Sequence, residues 1–175
     1  PVRQLLAVNV NHFPMYNRLI PRAKADRMGI KPYEPGKHEL DIVNWAQLGT
    51  PWAMVNKKFM GPLGTPCSAP PYGVLGMIDL KTGKFAWSQP LGKATDTGPF
   101  GLSTYLPYTI GTPQLGGALL TAPGLTFIGA TQERTFRAID TANGKILWED
   151  RLAAGAHANP MTYYSAKSGR QFVVV

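Results

Sequence analysis

The sequence predicts an all-β chain built from repeated sheets, and three observations carry that prediction. Met77-Ile78-Asp79-Leu80-Lys81-Thr82-Gly83-Lys84-Phe85-Ala86-Trp87 recurs as Ala138-Ile139-Asp140-Thr141-Ala142-Asn143-Gly144-Lys145-Ile146-Leu147-Trp148 at a constant offset of 61 residues, and Leu91 and Leu152 keep the register beyond it. The 175 residues include 19 Gly and 16 Pro with only 16% charged residues, a turn-rich balance. No sustained amphipathic helical period is present; the best short candidate runs from Pro21 to Met28. One supersecondary unit used twice at this spacing points to an array or a propeller.

Each copy reads as two strands and a turn. An apolar alternating run ends at Asp79 or Asp140, a short turn places Thr82 or Asn143 before Gly83 or Gly144, and a second run carries Trp87 or Trp148. Glycine accepts positive φ without a Cβ clash, which tight hairpin turns require. The Asp side chain can accept from backbone amides in the turn it opens. Each Trp is large enough to fill the gap between stacked sheets, with its N–H free to find a partner. Asp79, Gly83, Trp87, Asp140, Gly144 and Trp148 are therefore expected to be structural.

In chain order, Val2 to Val10 alternates as a strand. Residues 11–72 hold nine prolines and no sustained period, and are read as a long insertion. Val74–Leu80 and Lys84–Leu91 form the first hairpin, so 73–92 reads as the end of one blade. A Gly/Pro/Thr-rich connection runs from Gly92 to Pro113. Leu115–Ala122, Leu125–Thr131, Thr135–Thr141 and Lys145–Leu152 then read as one complete four-stranded blade over 115–152. Thr162–Ser165 and Gln171–Val175 open another over 160–175. The expectation is about two blades plus part of a third, cut from a single domain, with unpaired edges where the ring does not close.

The net charge of +8 is scattered along the chain, although seven basic residues, Arg3, Arg18, Arg22, Lys24, Arg27, Lys31 and Lys37, crowd the first quarter. No interleaved aromatic platforms accompany it, which argues against a nucleic-acid partner. A lone Cys67 excludes an internal disulfide framework and a Cys-rich metal site. It lies among prolines with no base nearby, so a packed thiol is expected in place of a nucleophile. No apolar run reaches the roughly 18 residues needed to span a bilayer. The chain opens on a strand-like run and stops at Val173-Val174-Val175, which reads as a piece of something longer.

Ala138-Ile139-Asp140 through Trp148 resembles the tryptophan-docking repeat of quinoprotein dehydrogenases, A-x-D-x-x-T-G-x-x-x-W. The first copy departs with Met77 for Ala and the second with Asn143 for Thr. Alone, the repeat also fits non-catalytic scaffold propellers of the outer-membrane assembly type. Longer segments narrow the match: Val8-Asn9-Val10-Asn11 with Leu19-Ile20-Pro21-Arg22, Gly61 to Cys67, Pro70-Pro71-Tyr72-Gly73, Gln114-Leu115-Gly116-Gly117, and Asn159-Pro160-Met161-Thr162-Tyr163. Together they resemble the C-terminal part of the membrane-bound dehydrogenases of the glucose/quinate/shikimate group that depend on pyrroloquinoline quinone (PQQ).

That resemblance implies an eight-bladed propeller on the periplasmic side of the bacterial inner membrane, with an N-terminal membrane anchor outside this chain. It implies oxidation of a cyclic polyol, quinate or shikimate or an aldose such as glucose, through PQQ held with Ca²⁺ or Mg²⁺, with ubiquinone as the electron acceptor. It places a cofactor-binding Asn at Asn9, near the reactive carbonyls, and a carboxylate of the cofactor–metal region at Glu133, where relatives carry Asp. The family's general base and cofactor-contacting Lys fall upstream of Pro1, and a cofactor-contacting His falls after Val175. The fragment is therefore expected to be inactive alone. His157 reads as a loop histidine, and His12 and His38 lack metal-ligand spacing. Asn44-Trp45 and Pro51-Trp52-Ala53-Met54 in the insertion are expected to border the substrate entrance.

Overall fold

The computed structural model describes residues 3–36 and 43–175; Pro1, Val2, Lys37 and His38 lie outside them. The architecture is all-β with several antiparallel sheets, none closed into a ring. The chain divides into two compact units, one made of the residues before 14 together with 62–175, the other of 14–61.

In the larger unit, β1 (Leu5–Asn11), β5 (Gly73–Asp79) and β6 (Lys84–Pro90) form a sheet in the order β1-β5-β6. A four-stranded sheet follows in the order β10-β9-β8-β7, from β7 (Leu119–Leu120), β8 (Leu125–Ile128), β9 (Thr135–Asp140) and β10 (Ile146–Arg151). β11 (Met161–Ser165) and β12 (Arg170–Val174) pair as a hairpin. The strand pairs are antiparallel throughout.

The two copies of the repeat fold alike. Asp79 Oδ1 accepts from Lys81 N and Asp140 Oδ1 from Ala142 N, both at 2.8 Å. The glycines take φ of +67° at Gly83 and +79° at Gly144, in the left-handed region that favours glycine. Each second strand carries a bulge directly before its Trp: Met77 pairs Trp87 while Ile78 pairs Phe85, and Ala138 pairs Trp148 while Ile139 pairs Ile146. The extra residues, Ala86 and Leu147, bend their strands at the same point.

The core of this unit lies between its first two sheets. Leu75 and Leu91 meet Ile128, Ala130 and Ile139, with Trp87 and Ala118 packed against them. Trp87 thus fills the gap between the sheets as its size predicts. Trp148 does not: it is 49% exposed, with the Phe136 ring edge-on at 6.4 Å. The chain holds no third copy of the Asp-to-Gly turn to receive it.

Residues 14–61, without sequence period, nonetheless carry regular structure. β2 (Met15–Pro21) and β3 (Trp45–Ala46) both pair with β4 (Trp52–Lys58). Helix α1 (Arg22–Arg27) falls where the sequence suggests one. It closes through Gly29 at φ +77°, with Ile30 N–H donating to Ala25 O at 2.9 Å and Gly29 N–H to Asp26 O at 3.1 Å, a Schellman ending. Ile20, Ala25, Ile30 and Ala53 form the small core beneath it.

Candidate functional site

β1 ends in Asn9-Val10-Asn11, and the two asparagines share a face of the strand. Asn9 Nδ2 donates to Gly116 O at 2.8 Å. Asn11 Nδ2 donates to Gln114 O at 2.9 Å, and Asn11 Oδ1 accepts from Gln114 N at 2.7 Å. The segment Gln114–Gly117 is thereby laddered to β1 through side-chain amides. On its other edge Gln114 bridges Thr131, and Leu115 N–H donates to Ala130 O at 2.9 Å.

The connection before β11 crosses the same segment. Gly117 N–H donates to Asn159 Oδ1. A Cβ on Gly116, whose φ is +90°, would lie 2.5 Å from His157 O, and one on Gly117 would lie 3.0 Å from Asn159 Oδ1. Only glycine fits Gly116, on both conformation and space.

Asn9 is half-buried, and among the described residues its second carboxamide hydrogen and its Oδ1 carry no protein partner. Gln114 behind it is 2% exposed, and neither polar atom of its side chain has a hydrogen-bond partner among the described residues. Such buried polar groups are uncommon and call for an explanation.

Glu133 occupies a different setting. It and Arg137 are each 1% exposed and ion-paired, Oε1 meeting Nη2, while Oε2 accepts from Lys93 N–H. Arg137 Nη1 donates to Thr131 Oγ1 at 3.2 Å, and its Nε lies 3.6 Å from Glu149 Oε2. Lys93 Nζ completes the ring on Glu149 Oε1. Burial pushes the Arg137 pKa down, with Glu149 opposing. Glu133 Oε1 makes no hydrogen bond beyond its ion pair with Arg137 among the described residues.

A second ionic cluster straps the 92–113 connection down. Asp96 Oδ1 accepts from Arg151 Nη2 at 2.7 Å, and Arg134 Nε lies 3.6 Å from its Oδ2. The Arg151 hydrogen bond and the charges of Arg151 and Arg134 outweigh burial and hold the Asp96 carboxyl below the usual carboxylate range.

His12 and His157 are exposed. Cys67, expected to be packed, is an exposed free thiol, because it lies in an irregular connection. Among the described residues no group of three His, Cys, Asp or Glu could hold a metal ion, and no helix is long and apolar enough to cross a membrane. The structure thus brings Asn9 together with Gly116 and, through Gly117, with Asn159, and places Glu133 in an ion-pair ring with Arg137, Glu149 and Lys93. Asn11, Gln114 and Asn159 escaped the residue reading because their partners are remote in sequence.

A family profile described as "PQQ: Glucose/ethanol/alcohol dehydrogenase, beta-propeller domain" matches residues 1–173. The chain is 52% identical over 73% of its length to a probable quinate dehydrogenase (quinone) of Xanthomonas campestris pv. juglandis, and covers 16% of that protein. It is 42% identical over its whole length to the glycerol dehydrogenase large subunit of Gluconobacter oxydans, and covers 24% of it. Among solved structures, the quinohemoprotein alcohol dehydrogenase from Comamonas testosteroni matches 99% of this chain at TM-score 0.53 and 26% identity, the chain covering 20% of it.

Proposed function

On the premise that this chain belongs to the PQQ β-propeller family of glucose/ethanol/alcohol dehydrogenases, we propose that it forms the C-terminal part of a membrane-bound enzyme oxidising a cyclic polyol of the quinate/shikimate type. The kinship with the Xanthomonas quinate dehydrogenase carries this reading. The basic first quarter agrees with it, since clustered cations attract an anionic substrate such as a hydroxy acid.

Alcohol oxidation removes two electrons and two protons, and PQQ, when bound, supplies the acceptor for them. The residues present fit such a group at Asn9, a half-buried carboxamide that can still donate and accept without adding charge. The Gly116 carbonyl holds it, and Gln114 holds Asn11 two residues along the same strand. Glu133, ion-paired with Arg137 and accepting from Lys93 N–H, holds the rim of the site through Arg137. Ca²⁺ or Mg²⁺ would accompany the cofactor in the full-length protein, which would also supply the general base. Electrons pass to ubiquinone on the periplasmic side of the inner membrane, and the 175 residues alone do not turn over.

A second reading, an acyclic polyol as substrate, is favoured by the whole-chain match to the Gluconobacter glycerol dehydrogenase subunit. Dye reduction by the full-length protein, loaded with PQQ and Ca²⁺ and offered quinate, shikimate, glucose and glycerol in parallel, separates the two. Fastest turnover of quinate or shikimate is expected. Preference for glycerol would move the assignment to the second reading, and no PQQ-dependent turnover of any polyol would overturn both.

A further inference from the structure

We propose that Asn159 is a positioning residue for Asn9, acting through the Gly116–Gly117 peptide. The carbonyl that accepts from Asn9 and the N–H that donates to Asn159 belong to one planar amide. Three amides are therefore aligned head to tail: the Asn9 carboxamide, the Gly116–Gly117 peptide and the Asn159 carboxamide. In such a chain each group polarises the next.

The geometry explains why two clamps are needed. Close approach of the His157–Asn159 connection leaves no room for a Cβ on Gly116, and little on Gly117. Glycines on both sides of a peptide let its plane rotate freely, so the plane has to be held from outside. Asn9 holds the carbonyl and Asn159 the N–H. Asn159 is itself restrained, since it precedes the buried Pro160 and residues before proline have restricted backbone freedom. With the peptide held, Asn9 Nδ2 is directed at Gly116 O and its Oδ1 is turned away from it. Removing the Asn159 acceptor releases the peptide and, with it, the orientation of Asn9.

The inference rests on the reading of Asn9 as a cofactor contact, and a mutant cycle in the full-length protein tests both separately. Asn9→Ala, Asn159→Ala, Asn159→Asp and the Asn9→Ala/Asn159→Ala double variant are titrated with PQQ and Ca²⁺ by quenching of intrinsic fluorescence. Their cofactor-free forms are unfolded in urea. Loss of one such hydrogen bond corresponds to about fivefold to tenfold weaker binding. Asn9→Ala is expected to lose about tenfold in affinity and Asn159→Ala about fivefold. Asn159→Asp, which keeps an acceptor oxygen, should stay within about twofold of the parent, and the double variant should bind like Asn9→Ala. Cofactor-free unfolding should show the same non-additivity. Weakening by Asn9→Ala with none by Asn159→Ala, or multiplied losses in the double variant, overturns the positioning role and leaves the Asn9 reading standing. Unchanged affinity in Asn9→Ala, with the two residues still coupled in cofactor-free unfolding, overturns the Asn9 reading and the positioning role with it.

Discussion

Trp87 Nε1 donates to the carbonyl oxygen of Thr141 at 2.9 Å. The donor stands in the second strand of one repeat copy and the acceptor at the turn of the next. The same indole lies against Gly144, where a Cβ would approach its ring to 2.9 Å. Gln89 Nε2 adds a bond to Gly144 O at 2.7 Å. Each copy thus contains both a plug and a socket, and adjacent sheets dock because the repeat recognises itself.

Shortening the plug should separate its two contributions. Trp87→Phe keeps most of the ring and loses the N–H, an expected cost of about 1 kcal/mol. Trp87→Ala also empties the inter-sheet gap and should cost about 3 kcal/mol. Urea unfolding midpoints report both, and equal costs would mean that the ring contributes no packing.

The socket offers a sharper comparison. Gly83 and Gly144 both have positive φ, at +67° and +79°, but a Cβ on Gly83 meets nothing within 4 Å. Alanine at either position costs about 1 kcal/mol of backbone strain. Gly144→Ala must also displace Trp87, so it should be the more destabilising of the two by a measurable margin in thermal unfolding.

Breaking the buried Glu133–Arg137 pair should be worse than deleting it. Glu133→Leu leaves the buried Arg137 with only the more distant Glu149, and Arg137→Leu leaves the buried Glu133 with only the Lys93 N–H, each at about 3 kcal/mol. The double substitution removes both charges and should recover more than half of the single-variant loss. Denaturant unfolding of the three variants checks this, and simple additivity would show that the two groups do not interact.

Acid should loosen the strap at Asp96. Its carboxyl is held below the unfolded value of about 3.9. The stability it contributes is therefore fully present above about pH 4 and is lost as pH falls through the lower, folded value. The stability difference between the parent and Asp96→Asn should shrink between pH 5 and pH 2. A difference independent of pH over that range would remove the ionic contribution of Arg151 and Arg134.

The repeat was legible because its physics is local. Asp79 and Asp140 cap turns two residues away, and Gly83 and Gly144 supply the required φ within the same hairpin. The bulges before Trp87 and Trp148 were not legible, since no residue type marks them. Order in residues 14–61 was also hidden: its small core joins Ile20, Ala25, Ile30 and Ala53, too few and too scattered to impose a period. At the site, Asn9 stood out only through resemblance. Its partner Gly116 lies 107 residues away and the Asn11–Gln114 pairing spans 103, distances over which spacing carries no signal. Glu133 entered through the resemblance as a carboxylate of the cofactor–metal region, and no local pattern announces its contacts with Arg137 and the Lys93 N–H.

The central claim is that this chain belongs to a protein that holds PQQ, with Asn9 on the rim of the cofactor site. Equilibrium titration of the full-length, cofactor-free protein with PQQ in the presence of Ca²⁺, followed by PQQ absorbance and protein fluorescence, tests it most directly. Saturation at about one cofactor per chain, weakened by Asn9→Ala but not by Asp79→Asn in the outlying turn, is the predicted result. A titration with no saturable change would contradict it.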